Sequence, residues 1–288
     1  MFKTLVAILA MAAVFCTGCH HKKPKNVAGP SEVVPVATLY AKGQAALKKK
    51  KPATARRYFD QIALREDAGE YKDKAAVATA DSYFLEHTVT AYAEAISRYQ
   101  SFLAFHPTHP AAAYCQYRIG QCYAEEMVTP DRDTSPALQA RDAFQALIEN
   151  YPNSEYVKEA KEKVSEVNDL LAAHEITVGD WYFKQKDYKS AIGRYRYVLE
   201  KFSKYWNLPA VYYRLGDALS RDGQNKEAVL YFTRVTQEAQ GTSLAKSAQK
   251  QINRIEKREG KMAERDNKVL NQPLTKPKVK SHWWEFWK

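Results

Sequence analysis

Cysteine and histidine are the side chains whose spacing in this 288-residue chain could do chemistry. Cys16 and Cys19 stand three apart in AVFCTGC, residues 13–19, and His20 and His21 follow at once. A CxxC pair does redox work when it follows a strand and opens a helix, and holds zinc when further ligands lie in register. His106 and His109, in HPTHP, form a second three-residue pair, interleaved with Pro107 and Pro110. With no Cys or carboxylate cluster beside them in sequence, they read as a rigid turn rather than a metal site. Cys115 and Cys122 lie seven apart, roughly 10 Å along a helix, too far to bridge each other, and read as small core residues. There is no GxSxG, P-loop, HExxH or dinucleotide fingerprint. Neither catalysis nor a cofactor is expected.

The residues around Cys19 decide its role. Lys3 gives a short positive start, and Leu5 to Phe15 is an unbroken apolar run of eleven. As a helix it rises roughly 16 Å, about half the bilayer hydrocarbon, so it fits the h-region of an export signal rather than a membrane span. Gly18 suits the position before cleavage; Phe15 is too bulky for cleavage before Cys16. The stretch resembles a bacterial lipobox, with Cys16 where Leu is usual, and on that resemblance Cys19 is the lipidated first residue. The expected organisation starts with a lipoprotein signal peptide at 1–18 and a flexible tether at 19–37. His20, His21, Lys22, Lys23 and Lys25 make the tether basic, close to anionic headgroups, and adjacent residues there lack the fixed geometry a metal needs. No Asp follows Cys19, which by resemblance to lipoprotein sorting rules favours the outer membrane.

Beyond residue 38 the chain repeats. Gly43, Ala55 and Phe59 are spaced by twelve and four; Gly179, Ala191 and Tyr195 share those intervals, as do Gly216, Ala228 and Phe232. Gly179 to Gly216 is 37 residues, close to the 34 of a tetratricopeptide unit. Two further units are stretched in their inner turns: Ala80, Ala95 and Tyr99 by three residues, Gly120, Ala140 and Phe144 by eight. In both, Pro107 and Pro152 fall twelve after the second-helix Ala, where the helix must stop. Tyr188, Ala191, Ile192, Tyr195, Val198, Leu199 and Phe202 form a helical apolar stripe, and no period-two segment competes. The small residue of each first helix is expected to face the second-helix Ala, with aromatics beside them. The expected fold class is all-α, a tetratricopeptide-repeat superhelical solenoid at 38–260. Five helix-turn-helix repeats reach residue 242 and Ser243–Arg258 caps them. Glu155 to Leu171 is expected as an additional long helix start.

Three stretches carry a family resemblance: SFLAFHPTHPAAAYCQYRIG (101–120), DRDTSPALQARDAFQALIENYPNSEY (131–156) and LLAAHEITVGDWYFKQKDYKSAIGRYRYVLEKF (170–202). They resemble the BamD family of outer-membrane assembly lipoproteins over roughly residues 38–240, and the HPTHP and YPNSEY turns are the most specific parts. The resemblance implies a periplasmic scaffold on the inner leaflet of the outer membrane, making and breaking no bond. It implies binding to the POTRA-bearing β-barrel assembly subunit through repeats three to five, and to unfolded outer-membrane proteins through an amino-terminal groove. Accessory lipoproteins are possible further partners. Arg194 matches a family Arg implicated in docking the barrel subunit; Arg196 lies beside it, and a guanidinium there suits bidentate carboxylate recognition. A different tetratricopeptide lipoprotein, a secretin pilotin or cell-envelope coordinator, is the alternative.

Among Tyr83, Tyr92, Tyr99, Tyr114, Tyr117 and Tyr123, about half are expected in the core. Tyr83, Tyr114 and Tyr117 are the candidates for lining the substrate groove, where tyrosine joins apolar area to a hydrogen-bonding tip. The end of the chain, 261–288, is expected as a flexible basic tail. Its Trp283, Trp284, Phe286 and Trp287 suit a membrane interface or a docking groove. The net charge of +11 would suit nucleic acid, but export and lipidation remove that partner.

Overall fold

The computed structural model describes residues 33–127 and 129–270. These residues form α-helices joined by short turns, with one 3-10 turn at Glu66–Ala68 and, among them, no strand. The helices are α1 (Val36–Lys48), α2 (Pro52–Ala63), α3 (Tyr71–Phe84), α4 (Val89–Phe105), α5 (Ala112–Glu125), α6 (Ser135–Asn150), α7 (Val157–Lys184), α8 (Tyr188–Lys201), α9 (Leu208–Arg221), α10 (Asn225–Glu238) and α11 (Ser243–Leu270). Each packs on the next in sequence, which makes five antiparallel hairpins and a cap. The fold is an all-α tetratricopeptide solenoid. α1 also touches α3, and α9 touches the cap α11, so at both ends of the stack the first-helix side is the inner one.

Local chemistry sets these boundaries. Pro52, Pro136 and Pro209 occupy the first turns of α2, α6 and α9, where a missing N–H costs no helical bond. The Thr88 hydroxyl accepts from the Ala91 N–H, and Asp187 accepts from the Ser190 N–H, capping α4 and α8. Inside the hairpins of repeats one, four and five, the chain reverses through a left-handed residue: Lys50 (φ 53), Lys186 (φ 64) and Gly223 (φ 87). In each case the next N–H returns to a carbonyl five residues back: Lys51 to Ala46, Asp187 to Tyr182 and Gln224 to Leu219. The turns between repeats are also alike. His106, Tyr151, Phe202 and Ala239 leave their helices with φ between −116 and −133 and accept from the N–H three residues on.

Packing follows the repeat, with one correction. The ring of the second helix, rather than the facing Ala, lies nearest each of the four small-position glycines. A Cβ built on Gly120 would sit 2.5 Å from the Phe144 ring, on Gly179 2.6 Å from Tyr195, and on Gly216 3.0 Å from Phe232; Gly43 lies closest of all to its ring, Phe59. Ala55, Ala95, Ala140, Ala191 and Ala228 are all fully buried. Two boundaries also change. The segment 155–171 is not a separate helix: it runs without a breaker into the first helix of repeat four as the single α7. The cap does not end at Arg258, and the part of the expected tail up to Leu270 is helix. Ala245, Ala248, Ile252 and Ile255 bury its first half against the last hairpin, whereas Met262 is exposed. Residues 1–32 and 271–288, with Cys19 and the tail aromatics Trp283, Trp284, Phe286 and Trp287, lie outside the described residues. No helix among the described residues is long and apolar enough to cross a membrane.

Candidate functional site

The inner side of the stack carries a polar arrangement that recurs. In repeat two the residue after the small position is Asp81. It accepts from the Tyr99 hydroxyl on α4 at 2.5 Å and from the Tyr114 hydroxyl on α5 at 2.8 Å, and Arg118 Nε stands 3.6 Å away. In repeat four the equivalent Asp180 accepts from Tyr195 at 2.7 Å and from Arg214 Nε, on the next first helix, at 3.1 Å. Each carboxylate thus ties its own second helix to the following repeat. Burial first, then the neighbouring carboxylate, pushes the Tyr99, Tyr114 and Tyr195 hydroxyls well above their ordinary range, so they remain donors. The repeats with Phe at the ring position need no acceptor: in one and three the residue is Gln44 and Gln121, and in five Asp217 pairs instead with Arg221 of its own helix at 3.6 Å. These acids and arginines escaped the sequence reading; aligning the repeats shows an Asp with each ring Tyr, but Asp217 beside Phe232 shows that the Asp alone does not mark the arrangement.

The three groove tyrosines separate. Tyr117 is a core residue, 4 % exposed, stacked on Tyr156 at 5.1 Å and packed against Phe144, with its hydroxyl donating to Glu159 and accepting from Gln121. The stretched repeat three brings α7 over it, so it lines no open groove. Tyr114 is half-buried and held by Asp81. Tyr83 is half-buried between two guanidinium groups, Arg56 at 4.2 Å and Arg98 at 4.8 Å from its ring centre. Of the other three, Tyr92 and Tyr99 are buried and Tyr123 half-buried.

Arg194 and Arg196 point to opposite neighbours from α8. Arg194 Nη1 donates to Glu175 of α7 at 2.9 Å, and Arg196 Nη2 to Glu227 of α10 at 2.6 Å. Their side chains remain 44 % and 48 % exposed, so each guanidinium keeps an open face while one edge is held. The hydrogen bond to Glu175 raises the Arg194 pKa. Next to Glu175, His174 Nδ1 lies 2.6 Å from the Pro130 carbonyl, which fastens the long inner turn of repeat three to α7.

His106 and His109 do have an acidic neighbour. Asp73, remote in sequence on α3, lies 3.7 and 3.9 Å from their Nε2 atoms, and both rings pack on Phe102. Among the described residues no group of three His, Cys, Asp or Glu side chains converges as a metal site. Cys115 and Cys122 are free and fully buried, and burial pushes both thiols up to about 12. A cavity of about 520 Å3 lies between α2 and α4 over α3, lined by Ala63, Lys72, Asp73, Arg98, Phe102 and Phe105.

Comparison with known proteins sets this architecture in a family. The family described as outer membrane lipoprotein (YfiO) matches residues 33–229. The outer membrane protein assembly factor BamD of Caulobacter vibrioides is 32 % identical, covering 78 % of this chain and 72 % of its own. The protein of the same name from Rickettsia prowazekii is 31 % identical, covering 80 % and 88 %. Among solved structures, the TPR2AB-domain:pHSP90 complex of yeast Sti1 aligns with a TM-score of 0.43 and 13 % identity, over 73 % of this chain and 80 % of that one.

Proposed function

Because the chain belongs to the YfiO (BamD) family of outer-membrane protein assembly factors, which are not enzymes, we propose that it is a lipid-anchored periplasmic scaffold of β-barrel assembly. Cys19 carries the acyl anchor at the periplasmic face of the outer membrane. The carboxyl-terminal repeats bind the POTRA-bearing barrel subunit, and the amino-terminal repeats receive unfolded outer-membrane proteins, with the half-buried Tyr83 and Tyr114 as aromatic contacts.

The observation that carries this reading is the α8 surface. Arg194 and Arg196 are the exposed guanidiniums of the fourth repeat, oriented by Glu175 and Glu227 rather than free to wander. A partner carboxylate can share each guanidinium on its open face without desolvating a lone charge. Capture from membranes with the anchored protein tests it. A POTRA-bearing barrel subunit should copurify, and Arg194→Glu should cost about 2 kcal/mol or more of that binding, roughly thirtyfold, as an unpaired interfacial charge does. Arg194→Lys should recover only part of it. Recovery of a secretin or a peptidoglycan synthase instead would favour the alternative scaffold reading.

A further inference from the structure

The turns between repeats, and the start of every first helix, lie on one edge of the solenoid. At its amino-terminal end that edge carries exposed apolar side chains beside the charged turn of Arg65, Glu66, Asp67 and Glu70. Leu64, closing α2, is 87 % exposed, Phe105, ending α4, is 78 % exposed, and Val33 is 70 % exposed. Leu64 and Phe105 are the two most exposed large apolar side chains among the described residues. They belong to one patch. Arg65 Nη1 donates to the Val34 carbonyl at 2.6 Å, which places the incoming chain beside Leu64. Ala63, the neighbour of Leu64, and Phe105 line the same cavity, so Leu64 and Phe105 flank it from successive second helices.

We infer that this patch (Val33, Val34, Leu64 and Phe105) seats in the membrane interface and fixes which edge of the solenoid faces the bilayer. The inference rests on the anchored reading above. What selects a lipid surface over another protein is the position of the patch. It surrounds the point where the segment from Cys19 enters the fold, and fourteen residues from Cys19 to Val33 reach at most about 50 Å. An acyl anchor alone therefore leaves the solenoid's orientation open, and apolar side chains at the entry point close it. Each of these side chains gains by leaving water for the acyl boundary. Around the patch, Arg65, Lys72, Lys74 and Arg98 are outnumbered by Asp60, Glu66, Asp67, Glu70 and Asp73, so headgroup charge supplies no attraction there and the contact is apolar and not weakened by salt.

The test labels the mature acylated protein with an environment-sensitive maleimide fluorophore at Leu64→Cys, Phe105→Cys or Leu230→Cys. Leu230 is 69 % exposed on α10, in the last repeat, and serves as the remote control. The native Cys115 and Cys122 do not compete, being buried with thiol pKa values of about 12. On phosphatidylethanolamine–phosphatidylglycerol vesicles, labels at 64 and 105 should shift to the blue and stay shifted in high salt, while the label at 230 stays aqueous. Vesicle-bound protein whose labels at 64 and 105 stay aqueous, or shift no more than at 230, overturns the inference. Failure of the native protein to float with vesicles would instead count against the acyl anchor. The same labelled chains, held on nickel-chelating vesicles by a histidine tag ahead of residue 20, then read the patch by the identical criterion.

Discussion

The four glycines under aromatic rings are close-approach positions, and the distances rank them. A methyl group on Gly120 or Gly179 would meet its ring at 2.5 or 2.6 Å and on Gly43 closer still, whereas on Gly216 it would meet Phe232 at 3.0 Å. Alanine gains about 1 kcal/mol over glycine inside a helix, and overpacking a core costs about 1–3 kcal/mol. Gly43→Ala, Gly120→Ala and Gly179→Ala should therefore lower stability by about 1–2 kcal/mol net, and Gly216→Ala should be close to neutral. Urea midpoints of the four variants check the ranking, which fails if Gly216→Ala is the most damaging. Repeat two shows that the clash is local, since Ala80 already packs there, buried, in the same repeat as Tyr99. The small-residue and ring positions were legible because twelve-and-four spacing survives any choice of surface residue. That the ring, and not the facing Ala, lies nearest each glycine was not legible, because spacing along a chain does not fix side-chain direction across a hairpin. Asp73 beside His106 and His109 was hidden for a related reason: it comes from α3, the first helix of the same repeat, more than thirty positions away.

At the scale of the element, α7 is the exceptional helix. Its first half packs on α6 and its second on α8, so one continuous rod joins the amino-terminal and carboxyl-terminal repeats. The sequence signalled both halves separately, an extra helix from 155 and a repeat helix around Gly179. Their fusion follows from the absence of Pro or Gly between Val157 and Val178. α11 eluded the reading differently: composition from Lys257 onward looks like a solvated tail, yet alternating charge is also what an exposed helix carries. Cooperativity in stacked repeats depends on such shared elements. Proline at the exposed Glu166 removes one backbone hydrogen bond and clashes one turn back, at about 3 kcal/mol, and gives up only the surface pair with Lys163. Glu166→Pro should uncouple the halves. In the chain shortened to Leu270, which removes Trp283, Trp284 and Trp287, the remaining Trp181 and Trp206 lie carboxyl-terminal of the break and report one half by fluorescence, and circular dichroism reports both. The two urea transitions should coincide in the native protein and separate in the variant. Coincident transitions in the variant would mean that the halves communicate by another route.

For the whole molecule, charge and apolar surface divide along the chain. Residues 1–37 hold four Lys or Arg against one acidic residue and residues 259–288 hold seven against four, so six of the eleven net positive charges lie outside the repeats. The buried clusters run in overlapping sections from Val36 to Ile255. The solenoid thus closes its own core, and its stability should not depend on the segment after Leu270. Two readings of Trp283, Trp284, Phe286 and Trp287 then make opposite forecasts. If these rings seat in a groove of the solenoid, burial of even one contributes about 2–3 kcal/mol, and a chain of this size moves its melting midpoint by about 2–4 °C per kcal/mol. If they seat in a lipid interface beside the basic residues, removing them leaves the midpoint alone and weakens vesicle binding. The self-contained core favours the second. Deleting residues 271–288 should leave the melting midpoint unchanged and lower the affinity of the unacylated protein for phosphatidylglycerol-containing vesicles, the share lost with Lys276, Lys278, Lys280 and Lys288 being salt-sensitive and the share lost with the rings not. A midpoint that falls by several degrees, with vesicle binding intact, would put the aromatic end on the solenoid instead.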